Sequence, residues 1–199
     1  MKILIVGASG TIGSAVASEL GQRNEIVSAG RTSGDVRLDL TDSSSIRSAY
    51  EEVGPLDAVV STAGNVKFAP FEEMEAADYA IGLEDKLMGQ VNLVLIGRQY
   101  VSDGGSFTLT TGVLDRDPIR QGTSASMVNG AINAFVRAAA IEMQRGQRIN
   151  VVSPGVIEEA MAAYGAFFRG FEPVPAARAA LAYAKSAEGA QTGQVYFVE

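Results

Sequence analysis

The stretch Ile3-Leu4-Ile5-Val6-Gly7-Ala8-Ser9-Gly10-Thr11-Ile12-Gly13 runs from four apolar residues through three spaced glycines into an amphipathic repeat. Ile12, Ala15, Val16 and Leu20 recur at i, i+3, i+4 spacing, so a helix follows the glycines as a strand precedes them. That is the setting in which backbone holds a dinucleotide pyrophosphate. Gly7 allows the tight turn, Gly10 the close approach of backbone to phosphate, and Gly13 the packing of helix on strand. The N–H groups of this loop, with Ser9, Thr11 and Ile12 around the glycines, and the positive end of the helix would grip the phosphates. The same glycines would also serve a bare strand-to-helix turn.

Outward from this start, short apolar runs alternate with stretches of helical periodicity, the pattern of βαβ units and a parallel sheet buried on both faces. Strands are expected at Glu25 to Ala29, in a short run ending at Leu38, and at Asp57 to Ser61. Three more follow at Ser106 to Thr111, Arg148 to Val152 and Val195 to Val198. Only the loop Arg31-Thr32-Ser33-Gly34 separates strands two and three, so the usual crossover helix there is shrunken or absent. Asp39-Leu40-Thr41-Asp42 opens the next helix, with Thr41 or Asp42 as N-cap. Further helices are expected near Phe71 to Gly82, Glu84 to Val101, Thr123 to Gln144 and Val174 to Ala187. Ser102-Asp103-Gly104-Gly105 reads as a helix-to-strand turn. The expected architecture is α/β, a doubly wound parallel sheet in three α/β/α layers, with residues 1–199 forming a single domain.

Composition narrows the chemistry. Zero cysteine and zero histidine exclude disulfides, thiol nucleophiles, imidazole bases and the usual zinc sites, so no metal site is expected. A net charge of −7 disfavours nucleic acid and anionic membrane surfaces as partners. No run approaches a membrane span or a signal peptide, and the chain reads as cytoplasmic.

Several segments together resemble the short-chain dehydrogenase/reductase family, almost end to end. Gly7 to Gly13 is similar to its phosphate loop, with glycine spacing nearer the GxxGxxG variants than TGxxxGxG. Asp39-Leu40-Thr41-Asp42 resembles the Asp-Val-Thr-Asp stretch whose first acid caps the adenine, and Ala63-Gly64-Asn65 resembles the Asn-Asn-Ala-Gly motif. Gly104-Gly105-Ser106 resembles the entry to strand five, and Thr192-Gly193-Gln194 the family's C-terminal Thr-Gly-Gln. Arg148 to Gly155 is similar to the Arg-Val-Asn-x-x-x-Pro-Gly segment, which would bring Pro154, Gly155 and Val156 to a nicotinamide. The resemblance implies a Rossmann fold, a nicotinamide cofactor, and a homodimer or homotetramer built on the helices Glu84 to Val101 and Thr123 to Gln144.

Charge at the end of strand two indicates which cofactor. A cation there suits the 2′-phosphate of NADP, an acid the ribose hydroxyls of NAD. Arg31 can pair bidentately with a phosphate, and Thr32 and Ser33 add hydroxyl donors, so NADP is favoured. The competing reading gives the ribose to Asp35 and leaves Arg31 a solvated loop charge.

The resemblance breaks at the catalytic positions. None of the six tyrosines has a lysine four residues on, and the family's Tyr-x-x-x-Lys positions fall on Ala125 and Asn129. In the family the phenol passes a proton to the substrate oxygen while the lysine holds the nicotinamide ribose and lowers the phenol pKa. The family's serine falls on Gly112, and Thr111 supplies a hydroxyl if the strand end shifts by one residue; threonine there also suits a strand. Lys86 stands where the family has an asparagine, close to the missing lysine, and reads either as a replacement cation or as a solvated lysine beside Glu84 and Asp85. Glu159 stands where a carboxamide-binding threonine is usual, and with Glu158 reads as a helix start favoured by the dipole. The apolar segment Val156 to Pro175, with Tyr164, Phe167, Phe168 and Phe171, would cover the nicotinamide or pack on the domain or a second subunit. Tyr164 is a further candidate to replace the missing acid from this cover, with no spacing argument behind it. The functional expectation is an NADP-dependent oxidoreductase for a small carbonyl or alcohol, with proton donation rebuilt from Thr111, Lys86 or water. The alternative is a cofactor-binding sensor or partner subunit without turnover.

Overall fold

The chain begins β1 (Lys2–Val6), α1 (Thr11–Gly21), β2 (Glu25–Gly30), β3 (Val36–Arg37), α2 (Ser43–Val53) and β4 (Leu56–Ser61). It continues through α3 (Ala76–Ile81), a π-helical segment (Gly82–Met88), α4 (Gly89–Gly97), β5 (Val101–Thr110), α5 (Thr123–Glu142) and β6 (Arg148–Pro154). The last elements are α6 (Met161–Tyr164), α7 (Ala176–Glu188) and β7 (Val195–Val198). This computed structural model describes residues 1–199.

All seven strands are parallel, in the order β3-β2-β1-β4-β5-β6-β7. Strand order reverses between β1 and β4, and the crevice outside their carboxyl ends is where open α/β sheets take ligands. The strands are apolar on both faces because helices cover both. On one face Leu4, Val59 and Phe107 pack with Ile46 and Tyr50 of α2, Leu93 of α4, and Val128 and Ile132 of α5. On the other, Ile3, Ile5 and Val60 pack with Val16 and Leu20 of α1 and Tyr183 of α7. The doubly wound Rossmann sheet is as expected, including the missing helix between β2 and β3. Asp42 is the N-cap of α2, its carboxylate accepting from the Ser44 N–H at 2.8 Å.

Four expected boundaries differ, each for a tertiary reason. The helix assigned to Phe71–Gly82 is a 3₁₀ turn at Phe71–Glu73 followed by α3, because Glu75 and Asp78 form a reciprocal capping box that starts a new helix. The helix assigned to Glu84–Val101 begins as π-helix and ends at Gly97, since Tyr100 and Val101 are drawn into the sheet beside Leu56. The strand assigned to Ser106–Thr111 starts at Val101 and ends at Thr110. Its pairing passes from Leu56↔Val101 to Ala58↔Ser106, so the expected turn at Ser102–Gly105 is an outward bulge within β5, with Gly104 at φ +73. β6 continues through Ser153 and Pro154 because β7 pairs with it to Val198.

Candidate functional site

The carboxyl ends of the strands form two cavities that share Ala63 and Gly64 as a common wall. The first, about 160 Å³, lies between the β1 loop and the β2–β3 loop. Gly7 turns with φ +88, a left-handed conformation that suits glycine, and its N–H donates to the Ala29 carbonyl at 2.8 Å. A Cβ on Gly13 would overlap the Gly7 carbonyl, so Gly13 packs α1 against the loop. Gly10 is the N-cap of α1 and no side chain caps the helix. The first amides of the eleven-residue α1 therefore present a positive terminus over the crevice, with Ser9 at the first cavity and Ile12 at the second. Gly10 and Thr11 form the exposed start of the helix.

Arg31, Thr32, Ser33, Asp39 and Leu40 line the first cavity. The Ser33 hydroxyl donates to the Ser9 hydroxyl at 3.1 Å and so ties the two loops together. Asp39 accepts from the Thr41 N–H at 2.9 Å and the Thr41 hydroxyl at 2.8 Å, which holds its carboxyl below the usual range. Asp35 is turned away. It accepts from the Ser28 hydroxyl at 2.7 Å and the Ser28 N–H at 2.9 Å and takes no part in the lining. Those bonds hold its carboxyl below the usual range as well. Asn65 directs its side-chain amide at Asp85 at 2.7 Å, so it fixes the wall and leaves Asp85, unassigned from sequence, at the cavity edge.

The second cavity, about 340 Å³, is lined by Lys86, Thr111, Gly112, Ala125 and Asn129, with Pro154, Gly155 and Val156 from the end of β6. Lys86 sits on the π-helical segment, a local irregularity common at functional sites. Its stem packs on Gly64, where a Cβ would lie 2.6 Å from Lys86 Cγ, and its Nζ donates to Asn129 Oδ1 at 2.9 Å. Desolvation of this partly buried ammonium brings its pKa down to about 8. The solvated-lysine reading is therefore corrected: neither Glu84 nor Asp85 pairs with Lys86, because Asp85 is held by Asn65. Asn129 Nδ2 donates to the Gly112 carbonyl at 3.3 Å.

Thr111 lies just past β5, buried, and its hydroxyl donates to Asn133 Oδ1 at 3.2 Å. Asn133 cannot reverse that bond, since its Nδ2 donates to the Asp115 carboxylate at 2.6 Å. The Thr111 proton thus points away from any occupant of the cavity. Sequence reading did not find Asn133 or Asp115, which stand 22 and 18 residues from their partners. Glu159 does not act on its own helix: its carboxylate accepts from the Ala176 N–H at 3.1 Å and caps α7. Phe68, Tyr164 and Phe168 close the cavity from above. The segment that carries the last two is pinned at its base, where Val174 N–H donates to the Val156 carbonyl at 2.8 Å and Ile157 bridges Val174.

The arrangement offers an anion cradle at one end, a cation in an apolar cavity at the other, and a continuous wall between them. No helix is long and apolar enough to cross a membrane. A family model described as enoyl-(acyl carrier protein) reductase matches residues 7–198. Protein lin1944 from Listeria innocua is 53% identical in a solved structure, with TM-score 0.99 and full coverage of both chains. A small-chain dehydrogenase solved in complex with NADPH is 26% identical, with TM-score 0.89, covering 100% of this chain and 96% of that one. Among curated proteins, an uncharacterized oxidoreductase of Methylorubrum extorquens is 27% identical over 113 residues, which span 56% of this chain and 46% of that protein.

Proposed function

Since the chain belongs to the short-chain dehydrogenase/reductase family of oxidoreductases, we propose that it is an NADP(H)-dependent reductase of a small carbonyl compound with an unconventional active site. The observation that carries this reading is the Lys86 Nζ to Asn129 Oδ1 hydrogen bond in the lining of the second cavity. The family's asparagine and lysine have exchanged hosts: Asn129 occupies the lysine position on α5, and Lys86 the asparagine position before α4. A cation and an amide still meet at the site, without the usual spacing in the chain. The protein forms an atypical branch of the family in this sense, and residues 1–199 act as one domain.

The cofactor reading rests on this chain's own residues. The amides of Ser9, Thr11 and Ile12 with the α1 terminus would take the pyrophosphate, and Leu40, Ala63 and the Asp39 turn the adenosine. Arg31, Thr32 and Ser33 would take the 2′-phosphate, while Asp35, engaged with Ser28, does not compete for the ribose. Gly155 and Val156 would stand against the nicotinamide and Lys86 against its ribose. When bound, the cofactor supplies a hydride equivalent. Lys86 orients the ribose and stabilises negative charge on the substrate oxygen, and the apolar cover excludes water.

Calorimetric titration of both nucleotides into the protein tests the premise, and NADPH oxidation across a panel of uncharged ketones and aldehydes tests the activity. Replacing Arg31 with Ala is expected to weaken NADPH about 30-fold or more, the order of a lost charge-assisted pair, and to leave NADH within about threefold. Equal weakening of both would refute the assignment of Arg31 to the phosphate. NADPH binding without turnover on any carbonyl would instead favour a cofactor-binding sensor or partner subunit, a reading that Ala125 at the tyrosine position supports.

The apolar outer faces of the π segment, α4 and α5 point to self-association. Leu95 is 46% and Ile141 85% exposed, with Met88 and Met127 also exposed. Sedimentation velocity is expected to give a dimer or tetramer, shifted toward monomer by Leu95→Lys with Ile141→Lys; a wild-type monomer at micromolar concentration would sink this.

A further inference from the structure

The second cavity has lost a phenol from its wall and gained one in its cover. Ala125, at the position of the absent tyrosine, is buried in a small apolar cluster with Val113, Leu114, Val156 and Phe168. Phe168 comes from the covering segment, and its ring stands edge-on to Phe171 at 5.2 Å. The short side chain at 125 thus leaves room that the cover fills, and this docking brings Tyr164, four residues before Phe168, to the cavity. The Tyr164 ring rests against Phe68 with centroids 6.4 Å apart.

Proton donors around the cavity can be followed one by one. The Thr62 hydroxyl donates to the Val6 or Gly7 carbonyl, at 3.1 and 3.2 Å. Thr110 donates to the Ser61 carbonyl, and Thr111 to Asn133. The amide hydrogens of Asn129 are too weakly acidic to transfer. Two groups keep transferable protons, the Lys86 ammonium, one of whose three N–H bonds is committed to Asn129 Oδ1, and the Tyr164 hydroxyl, which donates to no group of the protein. They differ in access. Tyr164 is 47% exposed, so its oxygen can recover a proton from water, whereas Lys86 is partly buried and tied to Asn129.

We infer that Tyr164 is the catalytic proton donor of this reductase, delivered from the cover instead of from α5, with Lys86 as the fixed cation beneath it. The inference rests on the carbonyl-reductase reading above. With the reduced nicotinamide bound, the carbonyl carbon would receive a hydride, one proton with two electrons, and the C=O π pair would move onto oxygen. That oxygen takes the Tyr164 proton, an O–H bond forms as the phenolic O–H breaks, and water returns a proton to the phenolate. The walls supplied by Phe68, Val66, Ala125 and Phe168 suit an uncharged substrate with an apolar body.

The test is Tyr164→Phe, which keeps the ring against Phe68 and removes one oxygen. The expected result is a fall in kcat of about 100-fold or more, the usual worth of a positioned acid, with KM within about twofold. NADPH affinity by calorimetry and the thermal midpoint should match wild type, because the hydroxyl holds no partner in the fold. A kcat within about threefold of wild type would overturn the inference and leave the reductase reading standing. Loss of NADPH binding or a lowered midpoint in the variant would also overturn it, by showing a structural role. A wild-type protein that binds NADPH and reduces no carbonyl would overturn both.

Discussion

Gly13→Ala is expected to abolish cofactor binding and to cost about 3–5 kcal/mol of stability, read as loss of calorimetric heat and a fall in thermal midpoint. The added methyl would overlap the Gly7 carbonyl and stand 2.8 Å from the Thr62 hydroxyl, both close-packed and neither a flexible side-chain end. Thr62 cannot retreat easily, because its hydroxyl donates to the Val6 or the Gly7 carbonyl. Relief comes only by moving α1 off the β1 loop. That separates Val16 and Leu20 from Ile3 and Ile5, and it carries the helix terminus away from the site of the pyrophosphate. A Gly13→Ala protein that binds NADPH like wild type would show that the helix terminus is not the anion site. Gly10→Ala serves as the comparison: a Cβ there meets only the Gly7 carbonyl at 3.4 Å, so the fold should survive while phosphate approach suffers.

Lys86→Met is expected to lower kcat/KM about 10²–10³-fold, the scale of losing a charge that stabilises a developing oxyanion. It should at the same time remove a pH dependence of stability. The ammonium is brought down to about 8 by desolvation, against 10.5 in an open chain. Below pH 8 both folded and unfolded states carry the proton, and the fold bears the full cost of the buried charge. Between 8 and 10.5 the unfolded chain binds more protons, so stability rises with pH, by up to about 3 kcal/mol. Activity should run the other way and fall as pH passes 8, because the neutral amine no longer stabilises the oxyanion. Denaturant titrations and pH–rate profiles on the same samples check both slopes. Lys86→Met should flatten the first and erase the second. If activity rises through pH 8 in the wild type, Lys86 is acting as a base and the charge argument fails.

How far the sequence revealed this molecule depends on the range of the interactions involved. The β1 loop and α1 were legible because a glycine turn and an i, i+3, i+4 stripe are local, and β7 was legible because an apolar run after Gly193 has no other use. The Asp42 cap needed only the next two residues. The start of β5 was not legible: Val101 enters the sheet because Leu56, 45 residues earlier, stands beside it. The π segment was hidden for a related reason, since one widened turn changes which face Lys86 occupies without changing the residue types. At the site, Lys86 and Asn129 could be singled out as anomalies against the family pattern, but their hydrogen bond spans 43 residues. The orientation of the Thr111 proton follows from Asp115 through Asn133, and no periodicity marks that chain of three.

Gly64 belongs, with Ala63, to the wall common to both cavities, at φ +144, and the stem of Lys86 occupies the space its side chain would need. A change at this one residue would push on the nucleotide side and on the reacting side together. In a genetic screen such an allele would look pleiotropic, a ligand-affinity lesion and a rate lesion in one, although residue 64 itself takes part in neither bond making nor charge recognition.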